Sequence, residues 1–249
     1  MFAQLCVLFA VVIGVGLGSF LNVCICRMPF GQSIVWPPSS CTSCGTRLKP
    51  RDLVPVMSYT LLKGRCRYCG AHISIQYPVV ELTTGILYAG IVLVYGVSLA
   101  TLHYIILSSL LIVSAGTDIN TGLVLDRVTL PGIVIAFILS FFVPVVTPFQ
   151  SAMGILICGG LLYVLAVASR GGMGGGDIKL MAMMGAFLGW AQGLVALFIG
   201  ALLGSIVGIV GIAAGRLKRG QPMPFGPYLA AGGVISIFVG RFLLSLLGF

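Results

Sequence analysis

The chain has 249 residues, of which 59% are hydrophobic and 8% charged, and its mean hydropathy is +1.15. This composition excludes an ordinary soluble domain and predicts an all-α polytopic membrane protein. The net charge of +9 is first of all a topology signal, because basic residues beside membrane spans mark cytoplasmic loops. We therefore expect the chain to meet a lipid bilayer and no nucleic acid.

Apolar stretches of about 18–22 residues, the length that a bilayer core requires, predict about eight transmembrane helices. The expected spans are residues 2–25, 78–97, 99–117, 128–147, 151–169, 178–190, 192–214 and 225–246. The sixth span is short, and its boundary with the seventh, at Trp190-Ala191-Gln192, is the least defined of the set.

Lysine and arginine lie almost entirely in the odd-numbered loops between these spans. Thirteen of the 14 basic residues do so, and only Arg241 falls at the opposite end. The positive-inside rule then places both termini outside and the odd-numbered loops in the cytoplasm. No basic residue precedes the first span and Arg27 follows it, so we expect an uncleaved helix rather than a signal peptide.

Residues 28–77 form a long polar stretch that contains two CxxC pairs separated by 21 residues. The four cysteines are Cys41, Cys44, Cys66 and Cys69. This spacing is typical of a four-cysteine zinc ribbon, and zinc would order an insert too small to build its own core. Gly45 and Gly70 follow the pairs and suit tight turns that aim amide N–H groups at the sulfurs. We expect structural zinc, because four cysteines leave no open coordination position.

Two disulfides are the alternative to zinc, but a cytoplasmic insert disfavours them because that compartment keeps thiols reduced. His72 could replace one cysteine ligand, although its spacing is poor and we expect it in solvent. The other four cysteines are expected to be small apolar fillers in or near the spans. They are Cys6, Cys24, Cys26 and Cys158.

Only five residues are acidic, and two of them, Asp118 and Asp177, lie at the cytoplasmic ends of predicted spans. A carboxylate beside the bilayer core is costly and is rarely without function. Asp177 follows the glycine-rich stretch 171–176, which would let backbone approach an extended peptide. We therefore expect a catalytic carboxylate dyad, in which one group draws a proton from water and its protonated partner polarises the scissile carbonyl.

Simpler roles for the acids remain open at this stage. Asp177 could cap a helix, Asp118 could cap or turn, and Asp126 could neutralise Arg127. Other proteolytic mechanisms are disfavoured, because the two histidines offer no convincing base for a serine or cysteine nucleophile and the HExxH motif is absent. The glycine repeat at residues 14–18 lies inside a span and indicates helix packing rather than dinucleotide binding.

Five blocks in chain order resemble the type IV prepilin peptidases of bacteria. They are Gly18-Ser19-Phe20-Leu21-Asn22-Val23 with Arg27 and Pro29, the two CxxC pairs, Tyr77-Pro78-Val79-Val80-Glu81-Leu82, Gly174-Gly175-Gly176-Asp177-Ile178-Lys179 and Pro224-Phe225-Gly226-Pro227-Tyr228-Leu229-Ala230. The fourth block is similar to the family's GxGDxK catalytic motif, and Asp118 aligns with the partner aspartate. One departure is Val124-Leu125-Asp126, where the family commonly has proline before the aspartate, and it leaves Asp126 as an alternative to Asp118.

The resemblance implies a bifunctional enzyme of the bacterial inner membrane with its zinc insert in the cytoplasm. Such enzymes cut the short basic leader of prepilins or pseudopilins after a glycine, and then N-methylate the new N-terminus with S-adenosyl-L-methionine. By the family blocks alone, Asn22, Arg27 and Glu81 are candidates for the methyl-donor site. The regions expected on this basis are a first helix at 1–27, an insert associated with methyl transfer at 28–77 and a peptidase core at 78–249.

Three other classes of protein remain possible at this stage. A transporter with a glycine-broken helix and acidic coordination sites would place its acids near the midplane of the bilayer, whereas these lie at span ends. Presenilin-like proteases share a GxGD motif, but Thr117 stands where their first motif has tyrosine. A membrane assembly protein could use a zinc ribbon to recruit its partner.

Overall fold

The computed structural model describes residues 2–169, 174–216, 218, 223–246 and 248. Its regular structure is helical, apart from two isolated β-bridges in the polar insert, which confirms the all-α prediction for the described part of the chain. The chain divides into two compact units, residues 1–97 and 98–249. The three functional regions expected from the sequence, 1–27, 28–77 and 78–249, are not defined by compactness and stay a prediction.

The first unit consists of two long helices and the insert that joins them. Helix α1 covers Phe2–Arg27 and helix α3 covers Gln76–Tyr95. The insert contains two short 3₁₀ turns, Met28–Phe30 and Pro50–Asp52, and the one-turn helix α2, Met57–Leu61.

Helices α1 and α3 pack closely through glycine. A Cβ atom on Gly14 would lie 2.8 Å from Cα of Gly85, and one on Gly18 would lie 2.7 Å from Cα of Glu81. A Cβ atom on Gly16 would meet nothing within 4 Å. Small residues of this kind let helices approach within a membrane, where burial against lipid provides no driving force. The glycine repeat is therefore a packing motif, as predicted.

The second unit is a bundle of apolar helices. Its helices are α4 (Leu99–Thr121), α5 (Asp126–Leu139), α6 (Pro148–Gly154), α7 (Gly160–Ala168), α8 (Gly175–Ala213) and α9 (Gly226–Leu246). A π-helical turn, Ile155–Gly159, joins α6 to α7, so that these two form one continuous rod.

Helix α8 turns back on itself at Gly189. The backbone angles there are φ 75° and ψ 169°, a conformation that is essentially restricted to glycine. A Cβ atom on Gly193 would lie 3.3 Å from Cα of Gly185, whereas eight residues of straight helix would separate these positions by about 12 Å. The chain therefore reverses near the boundary expected between the sixth and seventh spans.

Side chains from neighbouring helices satisfy the carbonyl groups that this reversal frees. Ser151 Oγ donates to the carbonyl oxygen of Ala186 at 2.9 Å, and His103 Nε2 donates to that of Phe187 at 2.8 Å. Buried carbonyl groups without partners would be costly in an apolar bundle. His103 thus has a structural role at the broken helix, which is consistent with its exclusion as a catalytic base.

Six helical segments in the described ranges are long and apolar enough to cross a membrane. They are Ala3–Phe30, Gln76–Tyr95, Leu99–Thr121, Pro148–Ala168, Gly175–Ala213 and Gly226–Leu246. Helix α5 is not among them because it has 14 residues, or about 21 Å, and ends at Leu139 rather than continuing to 147. The expected count of eight spans therefore stays a prediction.

Glycine at the contact between α6 and α8 generates a stability prediction. A Cβ atom on Gly154 would overlap the carbonyl group of Gly185, whereas one on Gly160, further along the same rod, meets nothing within 4 Å. Gly154→Ala should lower the free energy of unfolding by about 1–3 kcal/mol through overpacking. Gly160→Ala is the matched control and should be neutral or raise stability by about 0.5–1 kcal/mol. Thermal unfolding in detergent measures both, and equal stabilities would contradict the close contact.

Candidate active site

Three helix ends lie together in the second unit: two carry the predicted aspartates, and the third contributes a glycine. Asp118 lies in the last turn of α4, where Gly122 caps the helix in a left-handed conformation and donates its N–H to the Asp118 carbonyl oxygen at 2.8 Å. Asp177 lies in the first turn of α8, and Gly226 is the first residue of α9.

The Asp118 carboxyl group is buried, with 5% of the residue exposed. Its Oδ2 atom accepts a hydrogen bond of 2.9 Å from the N–H group of Gly226. A Cβ atom on Gly226 would lie 2.7 Å from the same oxygen, so only glycine allows this approach. The donor belongs to the first turn of α9, where the helix dipole favours a negative charge.

Asp177 is also buried, with 9% of the residue exposed. The capping residue of α8 is Gly174, whose carbonyl oxygen accepts from the N–H of Asp177 at 3.1 Å. The helix-capping alternative for the Asp177 side chain is therefore wrong. The charge of the Asp118 carboxyl group acts on that of Asp177, and Gly176 and Gly226, which neighbour these two groups, both lie against Val124.

The segment after α4 packs between the beginnings of α8 and α9. A Cβ atom on Gly176 would lie 2.8 Å from Cβ of Val124, and one on Gly226 would lie 3.2 Å from Val124 Cγ2. Val124 thus sets the spacing at which these helix ends meet. Gly171 and Gly172 of the glycine-rich stretch lie outside the described residues.

Asp126 lies in a different environment from Asp118. It is the first residue of α5, its side chain is 54% exposed, and both of its carboxylate oxygens accept from Lys179 Nζ at 2.7 Å. Its ionic partner is therefore Lys179 rather than the neighbouring Arg127. This ion pair connects the beginning of α5 to α8 two residues beyond Asp177, a contact that the sequence did not indicate.

Two of the predicted methyl-donor residues lie in the contact between α1 and α3. Asn22 is fully buried and donates to the carbonyl oxygen of Tyr77 at 3.0 Å, while its Oδ1 atom has no hydrogen-bond partner among the described residues. Glu81 is buried one turn further along α3.

Glu81 also holds a strained turn of the insert. Its Oε2 atom accepts from the N–H of Val56 at 2.7 Å. Val56 has φ 61° and ψ −50°, and the N–H of Met57 donates to the carbonyl oxygen of Pro55 at 2.6 Å, which together define a γ-turn. A β-branched residue adopts this conformation only at a cost, so the buried carboxylate contributes to keeping it.

The third predicted residue, Arg27, has a different set of partners. Its Nη1 atom donates to the carbonyl oxygens of Ser33 at 3.0 Å and Pro37 at 2.8 Å. The guanidinium group therefore fixes the first loop of the insert to the end of α1. Asn22 and Glu81 are thus both buried where α1 packs on α3, whereas Arg27 contacts the adjacent loop of the insert.

The four predicted cysteines form one cluster, with all sulfur atoms within 4.8 Å of one another. The Sγ atoms of Cys41 and Cys69 are 3.8 Å apart. A tetrahedral zinc site with Zn–S bonds of about 2.3 Å has S···S edges of about 3.8 Å, so the sulfurs fit a zinc ion and are too far apart for disulfides. His72 is exposed and lies outside the cluster, as expected.

Backbone N–H groups point at the sulfurs in both CxxC turns. The N–H groups of Cys44 and Ser43 lower the pKa of the Cys41 thiol, and those of Tyr68 and Cys69 lower the pKa of the Cys66 thiol. Gly45 and Gly70 have φ of 69° and 72°, which confirms the predicted tight turns.

Cys69 shows why this cluster suits a cation. The Ala71 N–H lowers the pKa of the Cys69 thiol, but burial and the other three sulfurs outweigh it and raise that pKa to about 12. Four thiolates cannot be this close unless a positive charge lies between them, and a divalent ion supplies that charge.

Comparisons with known proteins match the chain along nearly its whole length. Residues 12–95 match the family model described as the bacterial peptidase A24 N-terminal domain, and residues 105–209 match the type IV leader peptidase family. A Bacillus subtilis (strain 168) protein named prepilin leader peptidase/N-methyltransferase is 37% identical, with 94% of each chain covered. Proteins of the same name are 35% identical in Burkholderia pseudomallei (strain 1026b), with 96% of this chain and 87% of the relative covered, and 32% identical in Pseudomonas putida, with 96% and 94% covered.

No solved structure matches the chain. The two family models together cover most of both compact units, and the relatives match along nearly the whole length of the chain. The chain belongs to the type IV leader peptidase family.

Proposed function

We propose that this chain is a membrane aspartic endopeptidase that removes the basic leader of type IV prepilins or pseudopilins after a glycine. We further propose that it N-methylates the new N-terminus with S-adenosylmethionine. The observation that carries the peptidase assignment is that two buried carboxyl groups, Asp118 and Asp177, lie at helix ends that pack around Val124 in the second unit. The names of relatives that cover nearly the whole chain support both activities.

Peptide hydrolysis by this pair needs one proton held between the two carboxyl groups. One carboxylate accepts a proton from water, whose oxygen then attacks the scissile carbonyl carbon, while the protonated partner donates to the carbonyl oxygen. The N–H of Gly226 orients the Asp118 carboxyl group, because it holds Oδ2 at 2.9 Å. Transfer of a proton to the leaving nitrogen completes the cleavage and restores the pair.

Asp118 is a better partner for Asp177 than Asp126 is. Asp118 is buried and interacts with Asp177, whereas Asp126 is exposed and both of its oxygens are occupied by Lys179. We assign Asp126 a positioning role, in which its ion pair with Lys179 holds the beginning of α5 against the first turns of α8.

The methyl-donor site is proposed in the first unit, at Asn22 and Glu81 with Arg27 beside them. S-adenosylmethionine supplies an electrophilic methyl group on a cationic sulfonium. Glu81 offers a buried negative charge, and Asn22 Oδ1 is a buried acceptor that lacks a partner in the described part of the chain. These groups suit a cationic ligand with N–H donors, and their job is to bind and orient it.

We propose a structural role for zinc, held by Cys41, Cys44, Cys66 and Cys69. The residues of the insert outside the cluster are largely exposed; among the few covered polar groups is the Asp52 side chain, 2% exposed, which bonds to Arg67 and Tyr68. The Arg67 side chain holds the pKa of the Asp52 carboxyl group below its usual range. Such contacts add little core, so metal binding is the main source of order here.

The membrane topology that we propose has eight crossings in the bacterial inner membrane, with both termini outside and the insert in the cytoplasm. The reversal at Gly189 supports two crossings for α8, since its two arms run side by side. The chain from Asp126 to the beginning of α6 supplies another crossing, in which the short helix α5 is continued by non-helical residues up to 147. The distribution of basic residues supports the orientation.

Family membership leaves the transporter alternative without support. The position of the acids also disfavours it, because Asp118 and Asp177 lie in the last turn of α4 and the first turn of α8 rather than at mid-helix.

Replacing either member of the pair tests the peptidase assignment. Asp118→Asn and Asp177→Asn should each lower the rate of leader removal by about 10³-fold or more, because an amide can neither accept a proton from water nor share one. Asp126→Asn is the matched control and should cost less than about tenfold, as expected for an exposed ion pair. Gel-shift cleavage of a co-reconstituted prepilin measures all three. Full cleavage by either of the first two variants would overturn the pair.

Methyl transfer has a separate test in the mass of the processed N-terminus. With isotopically labelled S-adenosylmethionine, the mature pilin should carry one labelled methyl group. Glu81→Gln should abolish the label while leader removal continues, because neutralising Glu81 removes the charge proposed to face the sulfonium. A labelled product from Glu81→Gln at the wild-type level would refute the assigned site, and an unmethylated wild-type product would refute the second activity.

Metal analysis tests the cysteine cluster. The purified chain should contain about one zinc ion, and Cys44→Ser or Cys66→Ser should remove it and make the insert sensitive to protease. Cys6 lies in α1 outside the cluster, so the control variant Cys6→Ser should leave the zinc content unchanged. Activity and protease resistance in a metal-free preparation would contradict a structural ion.

A further inference from the structure

The first loop of the insert is rigidly held yet presents apolar side chains to solvent. Ser33 Oγ accepts from the N–H groups of Val35 and Trp36, each at 3.2 Å. Arg27 clamps the carbonyl groups of Ser33 and Pro37 to the end of α1. On this fixed backbone the residues Val35 and Trp36 are 83% and 70% exposed, and Phe30 at the base of the loop is 69% exposed.

Chain continuity places this loop at the edge of the membrane. The first candidate span ends at Phe30, and Trp36 lies six residues beyond it, within about 20 Å even if the chain were fully extended. The second end of the insert enters the span Gln76–Tyr95, so the insert is tethered to the bilayer at both ends. Tryptophan is favoured at the depth of lipid headgroups, because its ring is apolar and its N–H is polar.

The charge of the insert identifies the kind of surface that it would meet. Residues 28–77 carry six basic side chains and one acidic side chain, a net charge of +5. The one acid, Asp52, is paired with Arg67. Five other basic side chains are exposed: Arg47, Lys49, Arg51, Lys63 and Arg65. Basic residues next to a membrane span are attracted to the anionic lipids of the cytoplasmic leaflet.

We propose that the loop 30–36 and these five basic side chains form a lipid-docking surface that holds the insert against anionic phospholipid headgroups. The apolar side chains of the loop enter the interface, and the basic side chains lie over the phosphates. Arg27 acts as the connector, because it fixes the loop to the helix that crosses the bilayer. The residues that would touch lipid belong to neither proposed site, although Arg27, which holds the loop, lies beside the proposed methyl-donor site.

The two tryptophans of the chain, Trp36 and Trp190, make the surface accessible to fluorescence. The full-length Trp190→Phe variant, reconstituted in phosphatidylcholine vesicles with phosphatidylglycerol, reports Trp36 alone, and Trp36→Phe is the matched control for Trp190. Lipids with a nitroxide near the headgroup should reduce Trp36 emission about twofold or more, and acrylamide in the water should quench it weakly. Subtracting the emission of Trp36→Phe from that of the wild type gives the quenching of Trp36 without relying on Trp190→Phe.

The charge component has its own measurement. Phosphatidylglycerol should protect Trp36 from acrylamide more than phosphatidylcholine alone does. Replacing Arg47, Lys49, Lys63 and Arg65 together by Gln should abolish this difference, and high salt should abolish it in the unaltered chain. Full access of acrylamide to Trp36 in both lipids would overturn the proposal. Protection from acrylamide without quenching by the lipid nitroxides would also overturn it, because a protein surface would then cover the loop.

Discussion

Close approach of helix backbones, which glycine alone permits, is the constraint on which the rest of this structure depends. In a membrane, helices gain little from burying apolar side chains against each other, so packing and polar contacts must hold the bundle together. Gly14 and Gly18 bring α1 against α3, and Gly154 brings α6 against α8. At Gly226 the same freedom brings a backbone N–H within 2.9 Å of a buried carboxyl oxygen. The helix packing and the candidate site therefore both depend on glycine at positions of close backbone approach.

The broken helix α8 shows how the bundle accommodates polar backbone in an apolar setting. The reversal at Gly189 frees carbonyl groups, and Ser151 and His103 donate to them from α6 and α4. With these groups satisfied, the two arms of α8 can lie side by side. The first arm then begins at the site with Asp177, and the second arm packs on α9, which begins with Gly226. The reversal thus connects the fold to the candidate active site.

Charge is distributed in the chain according to function. Of the five acids, Asp52 and Asp126 pair with basic side chains, Glu81 holds a strained turn of the insert, and the remaining two form the proposed catalytic pair. The excess of basic residues lies mostly in the insert and the loops, where we propose that it orients the chain in the bilayer and binds lipid headgroups. Acidic groups are few because each one in or near the bilayer core is costly.

The amino-acid sequence by itself determined the helical membrane class and the cysteine cluster, and it singled out the acidic pair that we propose, because hydropathy, CxxC spacing and the scarcity of acids are local signals. It also located the boundary near 190, although the reversal itself depends on the backbone at Gly189. Only the tertiary structure decided that Gly226 bonds to Asp118, that Lys179 rather than Arg127 pairs with Asp126, and that Arg27 clamps a loop. These contacts join residues from different helix ends or across a loop, and no spacing along the chain encodes how such ends meet. The short α5 escaped prediction because the apolar character of 140–147 continues beyond the helix end.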